Sequence, residues 1–386
     1  MHKSIIKRSL LILAAIPVVV VLLEIGIRLA APQPVDDVFF NDIYTESYSA
    51  SLNTNVESLS PEMIRSKNGH EVYINSDGNR DHEYALEKKN GTQRIAIVGS
   101  SVSFGFNLAL EETFGKQLEV MLQGDSAEIE YEVLHFGRPG FKAKETYARL
   151  VDRIFDYDPD LIIYSFVQNN YEGQSVDTYY SRIHNLSEIM RTDDSAGSKS
   201  LLRRVRDRWG GLKNNSIMRY IRTNYHLYLF SANSIARVLR ELSPLEKEKA
   251  QNVEVLYPET PNFRRKIEST QTWLTLMKQE CHQREIKFSI LFHPYEMQVN
   301  RAGLEKWQSA GMPLSDSVLC FQTHQMMRTY CDSSGIHFFD ILPTLKMNIE
   351  GDDEYYLEGD YGHYTAIAHK LIATHLSRTI PEILRN

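Results

Sequence analysis

The sequence predicts an α/β protein, a three-layer α/β/α sandwich around a mostly parallel five-stranded sheet, preceded by one N-terminal transmembrane helix. Three observations carry this reading. From about residue 94 onward, apolar runs of strand length alternate with stretches of helical periodicity. That is the pattern of crossover units whose helices cover both faces of a parallel sheet. The first such run, Ile95-Ala96-Ile97-Val98, passes straight into Gly99-Ser100-Ser101, small residues suited to a tight strand-to-helix turn. At the amino end, His2, Lys3, Lys7 and Arg8 precede a long apolar stretch.

Taken in order, residues 10–23 are apolar apart from the neutral Pro17, and the run continues through Ile25-Gly26-Ile27 to Leu29-Ala30-Ala31. About 20 such residues span a bilayer. Glu24 and Arg28 stand four apart, where they can pair on a helix. The basic flank, residues 1–9, predicts a cytoplasmic amino terminus with the rest exported. A cleaved signal peptide is the rival, but Arg28 falls in its cleavage region and Ala30-Ala31 is followed by Pro32. The expectation is therefore an uncleaved anchor over 10–31 in the cell (inner) membrane, single-pass, with the remainder periplasmic or extracellular.

Residues 32–92 are rich in Asn, Ser, Asp and Glu and read as a tether and loosely structured lead-in. The α/β domain follows over 93–386. Strands are expected at 95–98, 132–136, 160–167, 287–292 and 336–341. Helices are expected at 113–122, with Phe114, Leu118 and Leu122 on one face, and at 144–155, 263–284, 317–331 and 365–376. The interval 172–262 has helical patterns at 215–225 and 231–242 but no core strand, so it reads as an insertion on the carboxyl-end rim of the sheet. It carries Lys199, Arg203, Arg204, Arg206, Arg208, Lys213, Arg219 and Arg222, either a solvated helix face or a surface for anionic lipid headgroups or an acidic polymer.

Composition narrows the classes. At 386 residues, 42% hydrophobic and 24% charged, the chain has ample core. Its net charge of −7 gives no footprint for nucleic acid. Cys281, Cys320 and Cys331 match no zinc spacing; they read either as one disulfide plus a free thiol or as small buried apolar residues.

The chemistry gathers at two points. Ser101 sits on the turn after the first strand, and Asp360 and His363 stand three apart ahead of the last helix. A serine hydroxyl is a poor nucleophile at neutral pH and needs an adjacent base, which in turn needs an orienting partner. Ser101, His363 and Asp360 supply those parts.

On these residues the chain resembles the SGNH (GDSL-type) hydrolases, and more narrowly their membrane-anchored bacterial members. The resemblance covers roughly residues 73–376 apart from the insertion. The family's Gly-Asp-Ser turn stands as Gly99-Ser100-Ser101. Its second block matches Leu134-His135-Phe136-Gly137-Arg138-Pro139-Gly140, its third Val167-Gln168-Asn169-Asn170, and its last Asp360-Tyr361-Gly362-His363. Ile74-Asn75-Ser76-Asp77-Gly78-Asn79-Arg80 is similar to the lead-in of the anchored members. Three positions depart from the pattern: Ser100 replaces Asp, Asn170 replaces an acidic residue, and His363-Tyr364-Thr365 replaces His-Pro-Asn.

The resemblance implies a flavodoxin-like sandwich, the SGNH hydrolase fold, and an acyl-Ser101 intermediate. Candidate oxyanion donors are the Ser101 and Gly140 backbone N–H groups and the Asn169 side-chain amide; losing one such donor typically costs about 2.7–4 kcal/mol of barrier. The implied substrate is an O-acyl ester, acetyl above all, of a cell-envelope or secreted polysaccharide, with hydrolysis or acyl transfer as the outcome. Envelope polysaccharide machinery is an implied partner, and no metal or organic cofactor is required.

Further polar groups have two readings each. His293, in His293-Pro294-Tyr295-Glu296, either contacts substrate or belongs to a packed loop. Tyr355, Tyr356, Tyr361 and Tyr364 crowd the approach to His363, and Tyr361 and Tyr364 offer amphipathic faces to a sugar or acyl chain. His135 and His337 fall in strands and read as core or rim. Asp352-Asp353-Glu354 lacks calcium-ligand spacing. Two rival functions remain: a non-catalytic polysaccharide-binding or scaffold component, fed by Ser100, and a lipase or phospholipase, fed by the anchor.

Overall fold

The computed structural model of the protein describes residues 2–30, 44–49, 51, 54–59, 63–65, 71–124, 129–171, 225, 227, 230, 231, 255–257, 259–309, 311–320, 322–347, 354–358 and 360–385. The expected insertion at 172–262, with its basic cluster and helices, lies almost wholly outside these residues, as do Asp352 and Asp353.

The chain forms two compact units, one of Met1–Asp42, Ile64–Gly69 and Asp194–Leu245, the other of Ile43–Met63, His70–Asp193 and Glu246–Asn386. In the first, α1 (His2–Ala30) carries the expected pair, with Arg28 Nε donating to Glu24 Oε1 at 2.7 Å. The other Glu24 oxygen accepts the Leu227 N–H at 2.7 Å. Among the described residues no helix is long and apolar enough to cross a membrane; the anchor expected over 10–31 reaches beyond the side chains described.

The second unit holds the sheet. Its strands are β1 (Thr92–Gly99), β2 (Glu130–Gly137), β3 (Leu161–Val167), β4 (Lys287–His293) and β5 (His337–Asp340), in the order β2-β1-β3-β4-β5. Every pairing is parallel. Alternate residues serve opposite faces. On one face, Ala96, Val98, Ile162, Tyr164 and Ile290 pack under α3 (Ala143–Asp152), α4 (Pro261–Gln283) and α5 (Gln322–Ser334). On the other, Ile95, Ile97, Ile163 and Leu291 pack under α2 (Phe114–Gln123) and α6 (Ala366–Arg385). Because both faces are covered, all seven residues of the central β3 are buried, as a doubly covered strand requires.

Several boundaries differ from expectation. The helix expected at 317–331 is a one-turn 3-10 segment (Asp316–Cys320) followed by α5. The last helix continues past 376 to Arg385, because the apolar spacing Ile372, Leu376, Ile380 continues and all three are buried. The cysteines are free, Cys281 and Cys331 buried and Cys320 exposed. Burial pushes the Cys281 and Cys331 thiols up to about 12.

The largest difference lies ahead of β1. Strands Tyr44–Ser49 and Thr54–Leu59 form an antiparallel hairpin, docked on α3 where Asp152 accepts from Ser49 Oγ (2.5 Å) and Ser51 N–H (3.0 Å). Residues 74–81 are packed, with Asn75, Asn79, Arg80 and Asp81 all buried. Asn75 Oδ1 accepts the Asn79 N–H at 2.8 Å and Arg149 Nη2 donates to Asn79 Oδ1 at 2.9 Å. Polar side chains hold this segment, which leaves no apolar period to read.

Candidate active site

Strand order reverses between β1 and its two neighbours β2 and β3, and in open parallel sheets the crevice beyond the carboxyl ends at that point is where ligands bind. Gly99 ends β1 with φ +145, and a Cβ there would lie 2.4 Å from the Ser165 carbonyl oxygen on β3. Glycine is needed for the close approach as much as for the backbone angle. The chain then turns into the one-turn helix Ser101–Phe104, closed by Gly105 in the left-handed conformation (φ 75, ψ 49). Ser100 O accepts from Phe104 N–H at 3.0 Å and from Ser103 Oγ at 2.9 Å. Gly137, at the end of β2, leaves room for this turn, since a Cβ would meet Phe104 N and Ser103 Oγ at 2.5 Å.

The carbonyls at the far end of the turn are met by Arg80. Its guanidinium donates to Phe104 O (2.8 Å), Gly105 O (2.5 Å) and Leu108 O, while the side chain is almost fully buried. Ser100, which stands where the resembling family has Asp, has a buried Oγ without a hydrogen-bond partner among the described residues. In the sequence Arg80 stands only at the end of the lead-in Ile74–Arg80, and nothing there marks it as the brace of the turn.

Opposite the turn, residues 355–358 and 360–365 are held by a close set of hydrogen bonds. Tyr356 and Tyr364 bridge antiparallel, and Leu357 N–H donates to His363 O at 3.0 Å. The Tyr356 and Tyr364 hydroxyls both donate to Pro294 O, at 2.9 and 3.0 Å. Glu296 N–H donates to Tyr361 O at 2.9 Å. At the tip, Asp360 Oδ1 accepts the Gly362 and His363 N–H groups at 2.8 and 3.0 Å, and its Oδ2 lies 2.5 Å from His363 Nδ1. His363 Nε2 is 2.7 Å from Ser101 Oγ. Phe106 packs its ring 4.9 Å from the imidazole. Burial raises the Asp360 carboxyl, but the bond and charge of His363 and the two N–H groups outweigh it and leave it below the ordinary carboxylate value.

Ser101, Gly140, Asn169, Asp360, Tyr361 and His363 all line one cavity of about 520 Å³. Gly140 has φ +83 with open space where a Cβ would stand, so only its backbone angle calls for glycine. Asn169 lies in the 3-10 turn Gln168–Asn170 that ends β3. Its neighbour Asn170 does the positioning: Oδ1 accepts the Val167 N–H and Nδ2 donates to Phe141 O, both at 2.7 Å.

Two of the expected substrate contacts are corrected. His293 is buried, its Nε2 2.8 Å from Ser165 Oγ and its ring 5.5 Å from that of Tyr364. It ends β4 with its side chain on the face covered by α2 and α6, its ring 6.0 Å from that of Phe114, and burial lowers its pKa to about 3. Tyr364 is also buried, tied to Pro294 and absent from the cavity wall. Tyr355 and Tyr356 are buried too, leaving Tyr361 on the wall. His135 is core and His337 is exposed. Among the described residues no cluster of three His, Cys, Asp or Glu could hold a metal ion.

No family model matches this sequence, and no curated protein does. Among solved structures, the chain is similar to an acetylxylan esterase from Geobacillus stearothermophilus (11% identity, 75% of this chain and 94% of that one, TM-score 0.39). It is also similar to a lipase/acylhydrolase from Enterococcus faecalis (11% identity, 75% and 96%, TM-score 0.38). A third is the acetyl xylan esterase AlAXEase (11% identity, 74% and 99%, TM-score 0.39).

Proposed function

We propose that the protein is an SGNH-type serine esterase or O-acyltransferase that works through an acyl-Ser101 intermediate. The observation that carries this is the unbroken line Asp360–His363–Ser101, at 2.5 and 2.7 Å, on the wall of an open cavity. A binding or scaffold protein has no need of that line.

In this reading Ser101 Oγ attacks the ester carbonyl carbon while its proton passes to His363 Nε2. Asp360 holds the Nδ1–H and stabilises the imidazolium. The Ser101 and Gly140 N–H groups and the Asn169 amide receive the oxyanion. His363 then returns the proton to the departing alcohol oxygen, and the acyl group stays on Ser101. Water or a bound sugar hydroxyl, deprotonated by the same imidazole, resolves it. No step calls for a metal or organic cofactor.

The substrate we assign is an O-acyl, chiefly acetyl, ester of a cell-envelope or secreted polysaccharide. Tyr361 on the cavity wall supports it, since a partly buried phenol suits a sugar ring. The reading includes the uncleaved anchor over 10–31 and a periplasmic or extracellular domain; the basic flank and apolar run support that part.

Treatment of the full-length chain with a fluorophosphonate probe tests the chemistry. An adduct on Ser101, lost in Ser101→Ala and His363→Ala, is the expected result. A folded protein with no adduct, or an adduct on Ser100, would sink the assignment.

A further inference from the structure

The oxyanion donor Asn169 and the base His363 stand on different segments, and buried amide side chains join those segments away from the cavity wall. β3 and β4 run side by side, with Val167 opposite His293 at their ends. Two residues beyond those ends stand Asn169 and Tyr295, both on the wall. Gln298, in the one-turn helix Glu296–Val299, is buried and does not line the cavity. Its Oε1 lies 2.9 Å from Tyr295 N and 2.9 Å from Gln168 Nε2. A backbone N–H only donates, so the Gln298 atom that meets it is the oxygen. That oxygen calls for a donor from Gln168 as well, and Gln168 presents its Nε2, with a second bond to Thr323 Oγ1 of α5 at 3.2 Å. Gln168 and Thr323 are buried too.

Closing the amino end of its own short helix is an ordinary task for Gln at this position. The bond to Gln168 is not local, since 130 residues separate the two. Each end of this link leads to a group of the site. Gln168 immediately precedes Asn169, and Asn170 on the other side is tied to Phe141 O. Tyr295 lies along the segment that holds the base. Its ring is 4.9 Å from that of Tyr361, edge to face, and a Cβ on Gly362 would come within 3.4 Å of its Cε1. The next residue, Glu296, donates its N–H to Tyr361 O at 2.9 Å. Tyr361 and Gly362 are the two residues between Asp360 and His363. One shared oxygen thus connects the oxyanion turn to the base.

We propose that Gln298 is a positioning residue, setting where the Asn169 amide stands relative to His363 while touching neither substrate nor reacting atom. The inference rests on the esterase reading, in which those two groups act on one ester. Catalytic groups need placement to within about 0.5 Å, and a misplacement of about 1 Å costs on the order of 100-fold in rate. A residue that only holds the fold together changes how many molecules are competent. A positioning residue changes the rate of each.

The test uses the full-length chain with 4-nitrophenyl acetate as substrate, and competent sites are counted by complete fluorophosphonate labelling of Ser101. Methionine fills the space of glutamine without a strong acceptor. In Gln298→Met, kcat per labelled site is expected to fall by roughly 10- to 100-fold, with KM changed by no more than about twofold. Gln168→Met breaks the same link from its other end, should show the same split, and decides the matter if Gln298→Met does not fold. Gln298→Glu keeps an oxygen for both donors and should hold kcat per site within about threefold of the unmodified chain. In an Asn169→Ala background the loss from Gln298→Met should shrink to about twofold or less, because its route to the oxyanion is gone. A loss that appears as fewer labelled sites at unchanged kcat per site, or one that persists in full beside Asn169→Ala, would overturn the proposal while the unmodified chain still turns over the ester. An unmodified chain that neither labels at Ser101 nor releases 4-nitrophenol would remove the esterase reading, and this role with it.

Discussion

Asn170 Nδ2 donates to the Phe141 carbonyl at 2.7 Å, and this one bond ties the loop after β3 to the loop after β2. Asn169 and Gly140, the donors proposed for the oxyanion, flank it on either side. In Asn170→Asp the side chain still accepts the Val167 N–H but cannot donate. The buried Phe141 carbonyl is left unpaired, at about 1–3 kcal/mol of stability. We expect kcat to fall by roughly 10- to 100-fold through misplaced donors with a smaller change in KM, measured with 4-nitrophenyl acetate beside a urea melt.

Arg80→Lys tests the brace of the nucleophile turn. One ammonium cannot reach Phe104 O, Gly105 O and Leu108 O together as the guanidinium fork does. Stability should drop by about 1–3 kcal/mol for the carbonyls left unpaired, and the fluorophosphonate labelling rate should fall in protein that is still folded. A labelling rate equal to wild type would show that Gly99 and Gly137 hold the turn unaided.

Asp360→Asn is expected to lower kcat by about 10⁴-fold, as the imidazole settles in the wrong tautomer. Its stability effect depends on pH with a definite sign. The folded carboxyl lies below its ordinary 3.8, so its contribution is complete above that value and is lost as pH falls through the folded pKa. The gap between wild type and variant in urea should therefore be largest at pH 7 and close below pH 3.8.

Burial lowers His293 and His369 from 6.5 to about 3, and lowers His135 well below its ordinary value. Unfolded, all three bind protons that the folded state refuses. Stability should hold above pH 6.5 and fall below it, by at most about 1.4 kcal/mol per pH unit for each histidine. Urea midpoints that stay flat from pH 7 to pH 5 would contradict their burial.

Tyr356 and Tyr364 share one acceptor, the Pro294 carbonyl. Removing either hydroxyl leaves that oxygen paired, so each Tyr→Phe change alone should cost about 0.5–1.5 kcal/mol. The double change leaves the oxygen buried and unpaired and should cost more than the sum. A double-mutant cycle by urea unfolding reads the difference directly.

The five strands were legible because parallel strands buried on both faces read as continuous apolar runs, and Leu161–Val167 is the plainest case. Ser101, Asp360 and His363 could be named because their spacing fits one chemistry and each lies beside a readable element. What polar side chains do in the interior was not legible. Arg80 and Asn170 are ordinary letters until the carbonyls they serve are brought within reach, and those lie 24 to 29 residues away along the chain. His293 failed for a related reason. A histidine ending a strand points to either face, and only the packing of α2 and α6 decides which.

Ser101 and His363 are separated by 262 residues, and a chain is made from its amino end. On the ribosome the nucleophile's strand, turn and brace are complete long before the loop that carries both base and carboxylate emerges. Until that loop docks on Pro294, Ser101 lacks the imidazole at 2.7 Å that the proposed mechanism requires. On the proposed reading, chains that end ahead of residue 355 do not react with an activated phosphonate, so labelling reports that synthesis has passed His363.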